Sequence, residues 1–276
     1  MTVERHAGTE PSRLGRAREL THAACQWPSR AARANLPPNA DDSHSNLGWN
    51  REHVALLSRP LDPGQRFQLG FRFADQNLLW LDRGRVEAEQ TLVGASEMSA
   101  QRWVDARLSA ADLKETSDAQ MPYSLEYAID YEDLTEHAAA AATLGRWFHE
   151  ADLALQVLIS DCEHLAVTRP EARCWPHHFD LASLFVLESG DPEFARSVGV
   201  GLSPGDGSYD EPYLYCTPWP APPVAALPAA PASFRWHTDG FVSLVAPASQ
   251  LNRDEDLGVA LRRGFNSALT LASASG

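Results

Sequence analysis

Alternating apolar and polar positions predict a group of strands in the first third of the chain. Along residues 66–73 every second side chain is aromatic or aliphatic, namely Phe67, Leu69, Phe71 and Phe73. That period of two is typical of a strand with one buried face. Shorter apolar segments at residues 53–58 and 78–81 predict two more strands. The short connections at Pro63-Gly64 and Asp75-Gln76 favour hairpins, and hence antiparallel pairing.

Helical spacing of apolar residues predicts the elements on either side of these strands. A helix is expected from about residue 12 to residue 26, with Pro28 kinking or restarting it before Leu36. A shorter helix is expected over residues 99–111. The clearest helical pattern of the chain covers residues 134–162, where Asp133 and Glu136 resemble a capping box.

The same order of elements recurs after this long helix. Strands are predicted at residues 179–187, 197–202, 213–217 and 240–245, and a final helix at residues 254–271. Residues 217–234 hold six prolines and several alanines between two of these strands. Such a composition predicts a stiff surface excursion and not a free linker.

The element order predicts an α+β fold in a single compact domain spanning residues 1–276. It contains two similar αβββα halves, residues 1–111 and 134–272, joined by an acidic connector at residues 112–133. The expected sheet is mainly antiparallel. The repeated order suggests a duplication about a pseudo-two-fold axis, although residue identity between the halves is thin.

Charge and cysteine content restrict the classes of protein that the chain can represent. The net charge of −14 argues against a general nucleic-acid binder and against a protein that binds anionic membrane surfaces. Apolar segments such as residues 181–187 are too short to span a bilayer, and the first thirty residues lack a secretory signal. The cysteines show no metal-site spacing, so we expect reduced, mostly buried thiols in a cytoplasmic protein: Cys25, Cys162, Cys174 and Cys216.

Two His-x-Asp pairs are the most suggestive chemical feature. His178 and Asp180 begin one predicted strand, and His237 and Asp239 precede another. Side chains two positions apart on an extended strand share a face, so each pair could act together. Imidazole with carboxylate suits a divalent metal, or proton transfer through a histidine held in one tautomer.

A simpler explanation is that each pair makes an ordinary structural hydrogen bond. A divalent metal bound by His178, His237 and Asp239 is an alternative that the spacing does not favour, since no HExxH-type or Cys/His pattern is present. No Ser-centred elbow or cysteine nucleophile motif occurs either, which disfavours acyl transfer.

A hydroxyl-rich strand and its neighbours could complete a binding site. Tyr213 and Tyr215 alternate with apolar residues and so share one strand face. Trp175 and Glu211 lie at the edges of predicted elements, where side chains can line a ligand cleft. We therefore assign ligand binding to Tyr213, Tyr215, Asp239, Trp175 and Glu211.

Several segments resemble an uncharacterised family of bacterial proteins known only as a domain of unknown function. The specific segments are Phe179-Asp180-Leu181-Ala182 and Glu211-Pro212-Tyr213 with Tyr215, followed by the Pro-Trp-Pro at residues 218–220. The resemblance covers most of the chain but implies no established activity, cofactor or substrate. Small residues stand in the family at the positions of His177 and His178, which favours Asp180 and Tyr213 as the common centre.

These observations lead to one preferred function and two alternatives. The preferred function is a cytoplasmic protein that binds a small molecule in a pocket lined by His, Asp and Tyr, with His178, Asp180 and His237 among them. The first alternative is a metal-assisted or acid–base hydrolase with Asp180 as general base beside His178 and His237. The second is a protein-interaction module that uses the proline-rich segment. The oligomeric state is left open.

Overall fold

The computed structural model describes residues 8–125, 127, 131–191, 194–252 and 255–274. Contacts between Cα atoms divide the chain into two compact units. The first holds the residues up to His149 together with Arg173–Phe179, and the second holds Glu150–Ala172 and the residues from Asp180 onward. The two units are described separately below.

The first unit combines two whole helices, a five-stranded sheet and the start of a third helix. In chain order the elements are α1 (Gly15–Asn35), β1 (Gly48–Asn50), β2 (Ala55–Leu57), β3 (Phe67–Arg72), β4 (Asn77–Asp82), β5 (Arg85–Thr91), α2 (Glu97–Ala110), α3 (Leu134–Cys162) up to His149, and β6 (Arg173–Trp175). The strands β1 to β5 form an antiparallel meander in sequence order. The three strands predicted here are confirmed, and β1 and β5 add to them.

The sheet of the first unit is buried on both faces at its centre. On one face Ala55, Leu57, Leu79 and Leu81 form a cluster against which Val86 packs. On the other face lie the fully buried rings of Phe71 and Phe73, and α1 packs against β3. Strand β5 lies at the edge of this sheet. Its mainly polar residues alternate between exposed and half-buried, as expected for a strand with one face in solvent.

Helix α1 runs without interruption from Gly15 to Asn35, so the predicted end near Gln26 and restart after Pro28 are wrong. Proline lacks the N–H that would bond the carbonyl of Ala24, which weakens an isolated helix by about 3 kcal/mol. Tertiary burial offsets this cost, because Pro28 and the neighbouring Trp27 are buried. Helix α2 is preceded by its N-cap Ser96, whose hydroxyl accepts the Ser99 N–H.

The second unit contains the rest of α3, five strands and the last helix. Its elements after α3 are β7 (Asp180–Val186), β8 (Ser197–Ser203), β9 (Tyr213–Trp219), β10 (Arg235–His237), β11 (Ser243–Pro247) and α4 (Leu257–Ala274). Within the larger sheet these strands follow the order β10-β11-β9-β8-β7, and their pairs are antiparallel. The predicted final helix was placed to start at Asp254, a residue outside the described part of the chain.

Helix α4 covers one face of this sheet. The side chains on the opposite face differ in kind from those that α4 covers. It packs on β8 and β9, and Phe265 of the helix contacts Phe185 with ring centroids 4.7 Å apart. The approach is close at Gly264, where a Cβ would lie 2.8 Å from the Cys216 sulfur. Because side chains alternate along β9, Cys216 faces α4 while Tyr213 and Tyr215 point to the opposite face.

The α+β class and the antiparallel sheets are confirmed, whereas the duplication is not. The strand order of the first sheet is sequential, but in the second unit β11 lies between β9 and β10. The two sheets therefore differ in topology. The acidic connector at residues 112–133 includes positions outside the described residues, such as Glu126 and Asp130.

Two further expectations concern the cysteines and the membrane. All four cysteines are buried free thiols, as predicted. Within the described residues no helix is both long enough and apolar enough to cross a membrane.

Candidate functional site

The face of the second unit's sheet opposite α4 carries an unusual row of polar side chains. Strand pairing places Tyr215 opposite Gly201 and Tyr213 opposite Ser203, and both pairs point away from α4. Asp180 begins the neighbouring strand β7. The next residue, Leu181, pairs with Leu202 and points to the other face, so Asp180 shares a face with Tyr213 and Tyr215. We call this surface of β7 to β11 the polar face.

The first contact on the polar face joins two strands across a glycine. The Tyr215 hydroxyl donates a short hydrogen bond to Asp180 Oδ2, so its ring spans β8 from β9 to β7. Gly201 lies between them, and a Cβ there would approach the Leu181 carbonyl oxygen to 2.6 Å. The absence of a side chain at Gly201 therefore allows both the close packing of β7 on β8 and the Tyr215–Asp180 bond.

The second contact orders the loop between β8 and β9. The Tyr213 hydroxyl donates to Asp206 Oδ2 at 2.5 Å, and the other oxygen of Asp206 accepts the backbone N–H groups of Ser208 and Tyr209. Ser203 forms a side-chain hydrogen bond with Tyr213 and accepts the Gly205 N–H. The glycine-rich loop thus folds back on the sheet through one carboxylate.

The third contact fixes the tautomer of His237. Its Nε2 lies 2.6 Å from the Asp239 carbonyl oxygen, which can only accept, so Nε2 carries the hydrogen. In neutral His237 the Nδ1 atom is then an acceptor, and the Tyr209 hydroxyl donates to it at 2.9 Å. Both ring nitrogens are engaged, one with the loop and one with the turn after β10.

Aromatic contacts connect these hydrogen bonds into one cluster. The rings of Tyr209 and Tyr213 lie 4.8 Å apart, and those of Tyr213 and Tyr215 lie 6.3 Å apart. His237 stacks on the exposed Phe241 at 4.1 Å. The guanidinium of the exposed Arg235 lies 5.2 Å from the centroid of the Tyr209 ring, within the range of a cation–π contact.

The centre of the polar face is open beside this cluster. Gly199 pairs with Thr217, and a Cβ added at Gly199 would meet only the Thr217 Cβ, at 3.9 Å. The flanking side chains Leu184 and Trp219 are 53% and 42% exposed, respectively. A floor without a side chain, with hydroxyl and apolar groups around it, is a feature that ligand sites share.

Burial and charge keep the tyrosines of the polar face protonated. Burial, reinforced by the nearby carboxylate of Asp180, raises the pKa of Tyr215 well above its ordinary value. Burial and the hydrogen bond to Asp206 likewise raise the pKa of Tyr213. Both hydroxyl groups are therefore hydrogen-bond donors near neutral pH, and neither is poised to act as a phenolate.

The structure gives the remaining predicted residues of this unit different surroundings. The carboxylate of Glu211 accepts the backbone N–H of Ser249 and its hydroxyl, which fixes the turn after β11. Asp239 is exposed and meets His237 through its backbone carbonyl, not through the carboxylate that the His-x-Asp spacing was expected to use. Across the part of the chain that the structure describes, no three or more His, Cys, Asp or Glu side chains are grouped to hold a metal ion. The predicted metal set of His178, His237 and Asp239 therefore has no support there.

His178 and Trp175 belong to the first unit, where Trp175 ends β6 and His178 lies in the turn that follows, not in the extended strand entry expected for His178. Residues 176–179 form a turn in which the His178 and Phe179 N–H groups both donate to the Trp175 carbonyl oxygen. Phe179 has a left-handed φ of 59°. The chain is not extended between His178 and Asp180, so the argument that placed these side chains on one strand face is wrong.

Side chains of helix α1 hold this turn through hydrogen bonds to the Pro176 carbonyl oxygen. That oxygen accepts from His22 Nε2 at 2.6 Å and from Gln26 Nε2 at 2.9 Å. The His22 ring stacks on Phe179 with centroids 4.8 Å apart. His177 and His178 remain exposed, with their ring centroids 4.0 Å apart. In the first unit the Pro-His-His-Phe segment at residues 176–179 is thus a structural turn.

Sequence reasoning missed Tyr209 as a member of the cluster and His22 as the anchor of the turn. Tyr209 lies in a polar loop, and only its spacing of four from Tyr213 hinted at a shared contact. His22 lies on a helix face among alanines, and its partner is more than 150 positions away in sequence. Long-range pairing of this kind leaves no local pattern.

Comparison with known proteins adds no relative from which a role could be transferred. No protein-family model, no curated protein and no solved structure matches this chain.

Proposed function

We propose that this protein binds a small molecule on the polar face of its second unit. The observation that carries the proposal is the arrangement of Tyr215, Tyr213 and Asp180 beside the side-chain-free position at Gly199. Short hydrogen bonds hold these side chains in fixed positions on paired strands. A rigid polar rim beside open apolar surface is the usual construction of a ligand site.

The proposed site keeps some of the residues predicted from the sequence, adds one and omits others. Asp180, Tyr213, Tyr215 and His237 stay as candidate binding residues, and Tyr209 joins them. His178 and Trp175 are not used, because they belong to the first unit.

A thermal-shift screen against a metabolite library tests the proposal. We expect at least one compound to raise the melting temperature of the wild-type protein. Asp180→Asn should fold, because Tyr215 can still donate to the amide oxygen, but should bind that compound more weakly. Thr270→Val is the matched control, because it removes a hydroxyl from an exposed position of α4. Equal ligand shifts in all three proteins would remove Asp180 from the site.

The hydrolytic alternative stays a prediction with a specific obstacle. His237 uses both ring nitrogens in hydrogen bonds, and Asp180 accepts from a protonated tyrosine. A general base must have a free acceptor near the substrate, so these bonds would have to rearrange before proton transfer.

An interaction role for the proline-rich segment is the second candidate, and one observation favours it. Val224 is 56% exposed in the middle of the segment, with Trp219 exposed at its start. Proline-rich apolar segments can serve as extended recognition elements. Val224→Ser should reduce co-purification of a partner if the segment binds one, and an unchanged set of co-purified proteins would remove this candidate.

Other predictions also stay proposals. They are the duplication of two αβββα halves, the cytoplasmic location, and membership of the uncharacterised bacterial family suggested by the segments around Asp180 and Tyr213.

A further inference from the structure

The middle of the proline-rich segment has an extended backbone that its own sequence imposes. Residues 227–231 read Leu-Pro-Ala-Ala-Pro and form no helix, strand or turn. The pyrrolidine ring fixes φ at about −65° in Pro228 and Pro231, and each proline restricts the residue before it to extended conformations. Leu227 has φ −66° and ψ 128°, in agreement with this restriction. These are the angles of a polyproline II helix.

Hydrogen bonds to the rest of the second unit hold these residues in place. The indole N–H of Trp236, in β10, donates to the Pro228 carbonyl at 2.8 Å, and the Pro231 carbonyl accepts a backbone N–H at 3.0 Å. At the next position the Ala232 carbonyl accepts from Arg263 of α4 at 3.0 Å. The extended conformation is therefore fixed in the free protein, which lowers the entropy cost of binding to a partner.

The side chains of the same residues face outward. Pro228 and Ala229 are exposed, and Pro231 is half-buried. A polyproline II helix has three residues per turn, so Pro228 and Pro231 lie along one edge of it. Leu227 and Ala230, which precede the two prolines, form the next edge. This Pro-x-x-P spacing is the one that aromatic-lined grooves of other proteins receive, and the uncharged side chains suit an apolar groove.

We propose that residues 227–231 are a recognition element for a partner protein that binds polyproline II segments in an aromatic-lined groove. The inference rests on the interaction role of the proline-rich segment and is independent of the small-molecule site on the polar face. Aromatic rings of the groove would pack on Pro228 and Pro231, and hydrogen-bond donors of the groove would reach carbonyl oxygens of the segment.

Titration of purified groove domains with the full-length protein tests the inference. The probes are isotope-labelled Src-homology-3 and WW domains, followed by the NMR signals of their aromatic grooves. We expect saturable shifts of the groove signals in at least one domain. The double variant Pro228→Ala, Pro231→Ala should weaken that binding at least about tenfold, because it removes both rings and frees both φ angles. An absence of groove shifts in every domain, or equal affinity of the double variant and the wild type, would overturn the inference.

Three single variants sharpen the assignment. Pro63→Ala is the matched control, because it removes an exposed proline from a turn of the first unit, and it should bind as the wild type does. Trp236→Phe keeps an aromatic ring but removes the N–H that holds the Pro228 carbonyl, so it should weaken binding several-fold. If Val224→Ser loses a partner that the double variant retains, the interaction role of the proline-rich segment stands, but the assignment to residues 227–231 is overturned.

Discussion

Acidification should destabilise the first unit through His22. This imidazole donates from Nε2 to the Pro176 carbonyl and accepts from the Tyr127 hydroxyl at Nδ1, so its neutral form satisfies both partners. Burial lowers the pKa of His22 to about 4, and the positive charges of Arg18, His177 and His178 act in the same direction. A second proton on the ring would turn Nδ1 into a donor, so the Tyr127 hydroxyl would lose the atom that accepts its hydrogen bond.

The sign and size of the effect follow from linkage between protonation and folding. The unfolded chain binds the proton with a pKa of about 6.5, so between about pH 6.5 and pH 4 the unfolded state holds more protons than the folded one. Stability from His22 is therefore complete above pH 6.5 and is lost as the pH falls toward 4. The pKa difference of about 2.5, at about 1.4 kcal/mol for each pKa unit, corresponds to about 3.5 kcal/mol. This is an upper value, because the ring is partly exposed.

NMR titration of the His22 imidazole measures this pKa directly, and denaturant unfolding of the wild type and of His22→Gln measures its consequence. Glutamine keeps a donor for Pro176 but does not titrate. Between about pH 7 and about pH 4.5 the wild type should lose about 2–3 kcal/mol more unfolding free energy than the variant. A His22 pKa near 6.5, or equal losses in both proteins, would refute the reasoning.

Further predictions concern packing and buried hydrogen bonds. Gly264→Ala should lower the unfolding free energy by about 1–3 kcal/mol, because its Cβ would lie 2.8 Å from the Cys216 sulfur; denaturant unfolding checks this. Gly15→Ala, with no heavy atom within 4 Å of the new Cβ, should leave stability unchanged or raise it by up to about 1 kcal/mol in the same assay. Tyr131→Phe should cost about 1–3 kcal/mol, because it leaves the buried Trp27 indole N–H without the hydroxyl that accepts it at 3.0 Å; an unchanged denaturation midpoint would contradict this.

Apolar patterns predicted the strands that are rich in apolar residues and missed two that are polar or short. The alternation along residues 66–73 corresponds to β3, observed at Phe67–Arg72. Strand β5 escaped prediction because its residues Arg85–Thr91 are mostly polar at an exposed edge. Strand β10 is only three residues long, too short for a period to show.

Local patterns also failed where long-range contacts decide the backbone. Pro28 signals a helix break in isolation, yet burial keeps α1 continuous through it. The His-His-Phe segment before β7 reads as extended, but the Pro176 carbonyl is held by His22 and Gln26, and Phe179 turns into the left-handed region.

The candidate site could be predicted in part for the same reason. Tyr213, Tyr215 and Asp180 are close to or within strands, so alternation placed the two tyrosines on one face correctly. The bond between Tyr215 and Asp180 depends on a strand order that no local pattern contains, and the contact between Tyr209 and His237 depends on the fold of a glycine-rich loop.

The most direct test of the account compares ligand-induced thermal shifts in wild type and Gly199→Leu across the same metabolite library. A Cβ at position 199 would meet only the Thr217 Cβ within 4 Å, at 3.9 Å, so the strand backbone accepts a side chain here and the variant should fold. The account predicts that at least one compound stabilises the wild type and that this shift disappears in Gly199→Leu. A shift of equal size in the folded variant, or no stabilising compound for the wild type, would contradict a small-molecule site on the polar face.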